Sequence, residues 1–289
     1  MSWSGNQWWE ELKYSGDGTW LYHAIKQGTL VCVSNGSFIK EIHPDVCSAA
    51  IIMECSDSHE RLTLSVLDNS PSANAFRGKL LGLLAIHLIL HSIQATSFEL
   101  TGTVQIHSDC TGALQTVSSL PTSGIPPKWQ HADILKILSI YGNIPGIDLI
   151  FHHVKAHQDD GTQWQHLSRT SQLNCACDTE AKRRILKYLP SPQAQHRLPQ
   201  EPISMIIDQQ KCTSDSDAVL RLHAHKRVAR ELFFQSDIPT SAQFDEVAWE
   251  DIHATLHSLP KMFQLFAGKQ VFGVSAVLGN LSKQKEFVN

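Results

Sequence analysis

A chain of 289 residues with 42% hydrophobic side chains carries enough apolar material to bury a sizeable core, and its length suits one large domain or a large domain with a smaller companion. Its formal net charge of −4 argues against a surface that is basic throughout, although a local basic face is compatible with an acidic whole. Seven cysteines (Cys32, Cys47, Cys55, Cys110, Cys175, Cys177 and Cys212), odd in number and spread through apolar segments, favour buried reduced thiols over a disulfide framework. The longest apolar stretch, around Leu80–Leu90, is interrupted by Gly82 and His87 and reads as too short to cross a bilayer, and MSWSGNQWW lacks the basic-then-apolar order of a signal peptide. The expectation is an intracellular protein, cytoplasmic or nuclear, with no membrane partner.

Residues 1–28 are rich in Trp, Gly and Tyr without a clear period and read as the remnant of a longer protein. From Thr29 the pattern sharpens. Leu30–Phe38, Cys47–Cys55 and Arg61–Leu67 are apolar or alternating runs separated by Pro, Asp and Ser turns, the signature of three antiparallel strands in a meander. A long helix follows, capped by Ser72, with Ala75, Phe76, Leu80, Leu83, Leu84, His87 and Leu88 at helical spacing through about Ile93. Then come a strand at Thr103–Ser108, a helix start at Asp109–Ser118, a helix at Lys128–Tyr141, a strand at Ile147–Val154 and a last helix from about His166 to Tyr188. This order predicts an α/β domain over 29–188 with a mixed five-stranded sheet flanked by helices. The proline-rich, polar stretch 189–199 reads as a linker, and 200–289 as a small α+β extension with a strand at Ile203–Ile207 and helices at Asp215–Phe234 and Phe244–Ala267.

Three polar residues stand where strands end or helices turn inward: Asn35, Asp109 and Asp178. Singly, each has a plain explanation, Asp109 as a helix N-cap and Asp178 as a solvated residue of an amphipathic helix. FHHVKAHQDDGT adds His157 on a loop whose plain reading is a surface turn. A zinc site through His152, His153 and His157 is weakly supported, because Cys175 and Cys177 lack the spacing of a paired-cysteine motif. Two basic stretches, Lys182 to Lys187 and Arg221 to Arg230, read from charge alone as solvated helix faces.

Together these stretches resemble a known family. SNGSF, AFRGKLLGLLAI, IHSDCTGAL, HVKAHQDD and LNCACDTEAK are similar, in order and spacing, to the motifs of the ribonuclease H domain, particularly that of retrotransposon reverse transcriptases. The resemblance covers about residues 29–188 and implies a ribonuclease H-like fold. In the family the motifs read DGS, an aromatic residue with R-x-E-L, SD, HVKGH, and an aspartate a few residues after an asparagine. The four metal-holding positions then fall on Asn35, Lys79, Asp109 and Asp178, and the loop histidine implicated in product departure on His157. The implied reaction is endonucleolytic cleavage of RNA in an RNA–DNA hybrid by two Mg2+ ions, with a reverse transcriptase domain of the same element as partner.

Two positions depart from the pattern. A two-metal phosphodiesterase needs a cluster of hard anionic oxygens to hold its ions. Here Asn35 is neutral and Lys79 is positive, which leaves Asp109, Asp178 and the amide oxygen of Asn35 as metal ligands and implies weakened binding. A lysine ammonium could pair with Asp109 and Asp178 in the space of a metal, or its long stem could carry the charge out to solvent. Aspartate to asparagine and glutamate to lysine each need one G-to-A transition, a pattern that suits a decayed element copy. The expected function is therefore a ribonuclease H-type domain whose cleavage is impaired, with a non-catalytic RNA- or hybrid-binding module as the alternative. The extension, with EPISMIID, FDEVAWEDIHATL and FAGKQVFG, is moderately similar to the region after the ribonuclease H domain in some retroelement polyproteins, and reads as part of an open-reading-frame fragment that lacks its polymerase.

Overall fold

The computed structural model describes residues 7–97, 99–121, 123–188, 197–201, 204–207, 210–224, 258, 260, 261 and 263. The chain divides into two units, Met1–Asp217 and Ala218–Asn289. In the second unit the described residues 218–224 are helical. The helix expected at Phe244–Ala267, most of the basic stretch Arg221–Arg230 beyond residue 224, and most of the expected linker lie outside the described residues.

The first unit is built on one sheet. Its strands are β1 (Lys13–Tyr14), β2 (Leu30–Phe38), β3 (Val46–Cys55), β4 (Arg61–Asn69), β5 (Gly102–Ser108) and β6 (Ile147–His153), in the spatial order β1-β4-β3-β2-β5-β6. β4, β3 and β2 form the antiparallel meander, while β5 and β6 run parallel to β2. Five helices accompany them: α1 (Thr19–Gln27), α2 (Ala75–Thr96), α3 (Thr111–Ser118), α4 (Ala132–Tyr141) and α5 (Arg169–Leu186). The fold is α/β, a mixed sheet flanked by helices, as the element order predicted, with one more strand than the five expected. The extra strand is β1, two residues that pair with the outer edge of β4 and are too short to show a period in sequence.

The alternation of side chains along β3 explains the layers. Cys47, Ala49, Ile51 and Met53 face a large core with α2, whereas Ala50 and Ile52 join Val33 beneath Leu173, Cys177 and Ala181 of α5. Because α2 is covered by the sheet and neighbouring helices, it is apolar almost all round. It reaches 22 residues and is long and apolar enough to cross a membrane by length and composition, contrary to the shorter stretch read from sequence, but most of it is buried inside the protein.

Residues 8–28, expected to stand outside the domain, belong to it. Trp8, Trp20, Leu21, Ala24 and Ile25 lie in the main core, and Glu11 pairs with Arg183 and Arg184 of α5. The other end differs likewise. Leu198 enters the same core, and Thr213 hydrogen-bonds Ser72 at 2.6 Å, so the packed unit runs past the linker expected at 189–199. A short hairpin, β7 (Ile206–Ile207) and β8 (Gln210–Lys211), stands where a strand at Ile203–Ile207 was expected. Ser72, expected as the cap of α2, bonds Thr213 instead; the cap is Asn74, directly before Ala75, and the Asn74 side chain accepts from the Arg77 amide at 2.8 Å.

Two devices seat α2. Gly36 of β2 meets Gly78 of α2 so closely that a β-carbon at Gly36 would collide with the Gly78 carbonyl carbon and the Lys79 amide nitrogen. One at Gly78 would lie 2.7 Å from the Ser48 carbonyl oxygen. Beside them Arg77, fully buried, donates to Asp68 of β4 at 2.7 Å and in a bidentate pair to Asp133 of α4 at 2.9 and 2.7 Å. Lys211, also buried, bridges Asp133 at 3.0 Å and Glu201 at 2.9 Å, so the segment after residue 197 is tied into the same chain of charges.

Overpacking against backbone cannot relax cheaply, so Gly36→Ala should lower the free energy of unfolding by about 3 kcal/mol. Gly161→Ala, where the added carbon meets nothing within 4 Å, should change it by less than about 0.5 kcal/mol. Urea denaturation of the two variants checks both.

The network also fixes a pH dependence. Burial, helped by the Arg77 charge, pushes the His131 imidazole down to about 4. Burial alone would raise the Asp133 carboxyl, but the hydrogen bonds and charge of Arg77, with those of Lys211, outweigh it and hold the group at about 2. Both groups bind protons more weakly folded than unfolded. Stability should therefore be full above pH 6.5, decline as pH falls toward 4 through His131, and decline again from 3.8 to about 2 through Asp133. The Asp133 share is about 2 kcal/mol. Urea unfolding measured across this range should show both declines, the lower one flattened in Asp133→Asn.

Candidate functional site

The site forms where β5 stops. The parallel ladder between β2 and β5 ends at Ser34 opposite Ser108, while β2 continues against β3 to Phe38. Asn35 therefore lies within β2 rather than at its end, buried among backbone on one side and facing the gap left by β5 on the other. Asp109 is the first residue after β5. It is not an N-cap: Cys110 occupies that position of α3, without a side-chain cap bond, and the Asp109 carboxylate turns back into the gap. The Gly36–Gly78 contact brings α2 across the same spot and delivers Lys79, the next residue.

Three of the five candidate residues meet there. The Lys79 ammonium donates to the Oδ1 of Asn35 and, at 2.6 Å, to the Oδ1 of Asp109. The Lys79 side chain is 14% exposed and that of Asp109 8%, which makes this a largely enclosed ion pair. Asn35 Oδ1 also accepts from the Gly36 amide at 2.8 Å, and its Nδ2 donates weakly to Asp109 Oδ2 at 3.4 Å and to Asn174 Oδ1 at 3.3 Å. An aspartate at position 35 could not make those last two bonds. It would face Asp109 as one anion faces another unless a cation lay between them.

The other two candidates make no hydrogen bond or ion pair with this cluster. The Asp178 carboxylate accepts from Lys182, one turn further along α5, at 2.6 Å. Asp178 is thus neither a merely solvated residue nor a partner of Lys79, and the stem of Lys79 does not carry its charge out to solvent. Asn174, one turn before Asp178, is the α5 residue that touches the cluster. His157 is exposed on the loop between β6 and α5, with a left-handed backbone at φ 49°, and its imidazole makes no hydrogen bond or ion pair among the described residues.

The basic stretch on α5 is largely neutralised. Lys182 pairs with Asp178, Arg183 with Glu180 and Glu11, and Arg184 with Glu11. At the N-terminal end of α5 the buried Glu54 of β3 takes two bonds from Arg169 and two from Arg61. Burial would raise its pKa, but these arginines bring it below the usual carboxylate range. That clamp fixes the register of α5 against the sheet and hence the reach of Asn174. All seven cysteines are free, and burial pushes the thiols of Cys32, Cys47 and Cys177 well up, away from thiolate chemistry.

These donors do not fit a divalent cation. An ammonium already holds the oxygens of Asn35 and Asp109 that would face the ion, and among the described residues no group of three or more His, Cys, Asp or Glu side chains is arranged to hold a metal.

No family model matches the sequence, and no curated protein does. Among solved structures, the chain is similar to the native prototype foamy virus protease–reverse transcriptase, with 15% identity and a TM-score of 0.43 over 56% of this chain and 21% of that one. The chain thus spans about a fifth of that protein's length. It is also similar to the solution structure of the PFV RNase H domain, with 18% identity and a TM-score of 0.39 over 54% of this chain and 93% of that one. A third is the N-terminal RNase H domain of a Mycobacterium tuberculosis protein, with 12% identity and a TM-score of 0.33 over 54% of this chain and 97% of that one.

Millimolar Mg2+ should leave the melting temperature of the wild-type chain unchanged, since a ligand that does not bind the native state cannot stabilise it. The double variant Asn35→Asp with Lys79→Glu should melt lower than wild type in EDTA, because carboxylates then converge, and recover several degrees on adding Mg2+. Thermal melts with and without chelator check both.

Proposed function

We propose that the first unit is a ribonuclease H-type domain of a retroelement protein, descended from an enzyme that cleaved RNA in RNA–DNA hybrids with Mg2+, and that its hydrolytic centre is disabled in this chain. The observation that carries the proposal is the Lys79 ammonium bonded to Asn35 and Asp109, the side chains at three of the four positions that match the family's carboxylates. Two-metal hydrolysis requires anionic oxygens that are free to receive the ions. Here one is an amide, one is a cation and one is consumed in an ion pair with that cation. The fourth position, Asp178, is held only by an i,i+4 pair with a half-exposed lysine, an interaction of a few tenths of a kcal/mol that a metal would displace. The lesion accordingly lies in Asn35 and Lys79.

The scaffold around the lost centre is complete, with glycine contact, buried arginine and α5 clamp in place, and this favours a second role as a non-catalytic RNA- or hybrid-binding module. Recognition would rest on backbone and 2′-hydroxyl contacts, as A-form duplexes offer shape rather than sequence. On this reading the family's loop histidine is His157, exposed on the loop between β6 and α5, and the implied partner is a reverse transcriptase domain of the same element.

Cleavage of a labelled RNA–DNA hybrid in Mg2+ and in Mn2+ tests the reading. The wild-type chain should not cut. Asn35→Asp and Lys79→Glu should each restore little, while the double variant should exceed the sum of the two by at least about tenfold, and Asp109→Asn on that background should abolish the gain. Robust cleavage by the wild-type chain would refute the proposed lesion.

A further inference from the structure

We infer that Lys79 converts the former metal centre into a metal-independent phosphodiester-binding site, the remaining N–H of its ammonium donating to a backbone phosphate of the nucleic acid. The inference rests on the reading of this unit as a hybrid-binding domain, and it specifies what the altered site does.

An ammonium carries three N–H donors. Two are committed, to Asn35 and Asp109, and the third has no partner among the described residues. The side chain keeps 14% of its surface open to solvent, the opening through which, on this inference, an anion reaches the remaining donor. A lysine on an open surface loses rotamer freedom when it grips a phosphate; this one is already fixed by its two intramolecular bonds, so little ordering remains to be done.

The surrounding charges lead to the same conclusion. A bare carboxylate quartet repels phosphate until metal ions cancel its field. In this chain Asn35 is neutral, Asp109 is cancelled by Lys79 and Asp178 by Lys182. Counted with Lys182, the side chains at the four positions carry no net negative charge, and the Lys79 ammonium keeps an N–H with no hydrogen-bond partner among the described residues. A wholly structural Lys79, merely filling a gap in the core, would leave nucleic-acid binding and its salt dependence untouched.

The test is fluorescence anisotropy of a labelled RNA–DNA hybrid with the full chain, in EDTA and in Mg2+ at matched ionic strength, with salt titrations. Wild-type affinity should agree within about twofold between the two conditions, because no ion mediates the contact. Lys79→Gln should weaken binding by roughly tenfold and reduce the salt slope by about one, as expected for one lost phosphate contact, while Lys79→Arg should retain both. Asp109→Asn should tighten binding several-fold by removing the anion beside the phosphate, a direction that misfolding cannot mimic. Binding that requires Mg2+, or an unchanged salt slope in Lys79→Gln, or an Asp109→Asn variant no tighter than wild type, would overturn the inference and leave the proposed domain assignment standing. A wild-type chain that binds hybrid in neither condition would overturn both.

Discussion

The close approach of Gly36 to Gly78 is the constraint on which the site depends. It places the backbone of α2 directly on that of β2, with no side chain between, so the residue after Gly78 must project over the point where β5 ends. Whatever stands at position 79 therefore becomes part of the cluster around Asn35 and Asp109. Arg77, the residue before Gly78, holds the same turn from the other side through Asp68 and Asp133. A charged group this deeply buried is tolerable only when fully paired, and removing either partner would cost about 3–5 kcal/mol. The scaffold thus fixes position 79 whether a carboxylate or an ammonium occupies it.

On the proposed reading, the same scaffold accommodates a change in chemistry. A cluster of carboxylates built for metal ions is strained by its own repulsion when the ions are absent. Substituting an amide and an ammonium relieves that repulsion from within, and the new bonds satisfy the groups that remain: Asn35 donates where an aspartate would have repelled, and Lys79 neutralises Asp109. On that reading, chemistry at the centre and stability of the scaffold are decoupled, because the ion pairs of Arg77 and Glu54 and the backbone contact of Gly36 with Gly78 do not use the side chains of Asn35 and Lys79.

Much of this was legible in the sequence, for identifiable reasons. β2, β3, β4, β5 and β6 announced themselves by alternation and by turn residues, and the motif order supplied their arrangement. The N-terminal residues were misjudged because Trp8 and Trp20 reach the core from a 3-10 turn and a nine-residue helix, too short to show a period. β1 has only two residues, and the ties of Glu201, Lys211 and Thr213 join positions far apart in the chain, which no local pattern records. In the site, Asn35, Lys79 and Asp109 were readable from motif spacing, whereas the direction of each side chain was not. Asp178 turns to Lys182 because a lysine four residues on lies on the same helix face, a pairing that the sequence does display. Two residues lay within the quoted motifs without being singled out. Asn174 could have been found one turn before Asp178, and Arg77 as one of the two charges, with Lys79, in an otherwise apolar helix, where burial demands acidic partners elsewhere.

The Lys79 ammonium, and not a metal ion, occupies the space between Asn35 and Asp109. Crystals of the wild-type chain soaked in Mn2+ and measured for anomalous scattering test it most directly. The account predicts density for Lys79 Nζ against both side chains and no anomalous peak at the end of β5. A manganese peak coordinated by Asp109, with Lys79 swung out to solvent, would contradict it.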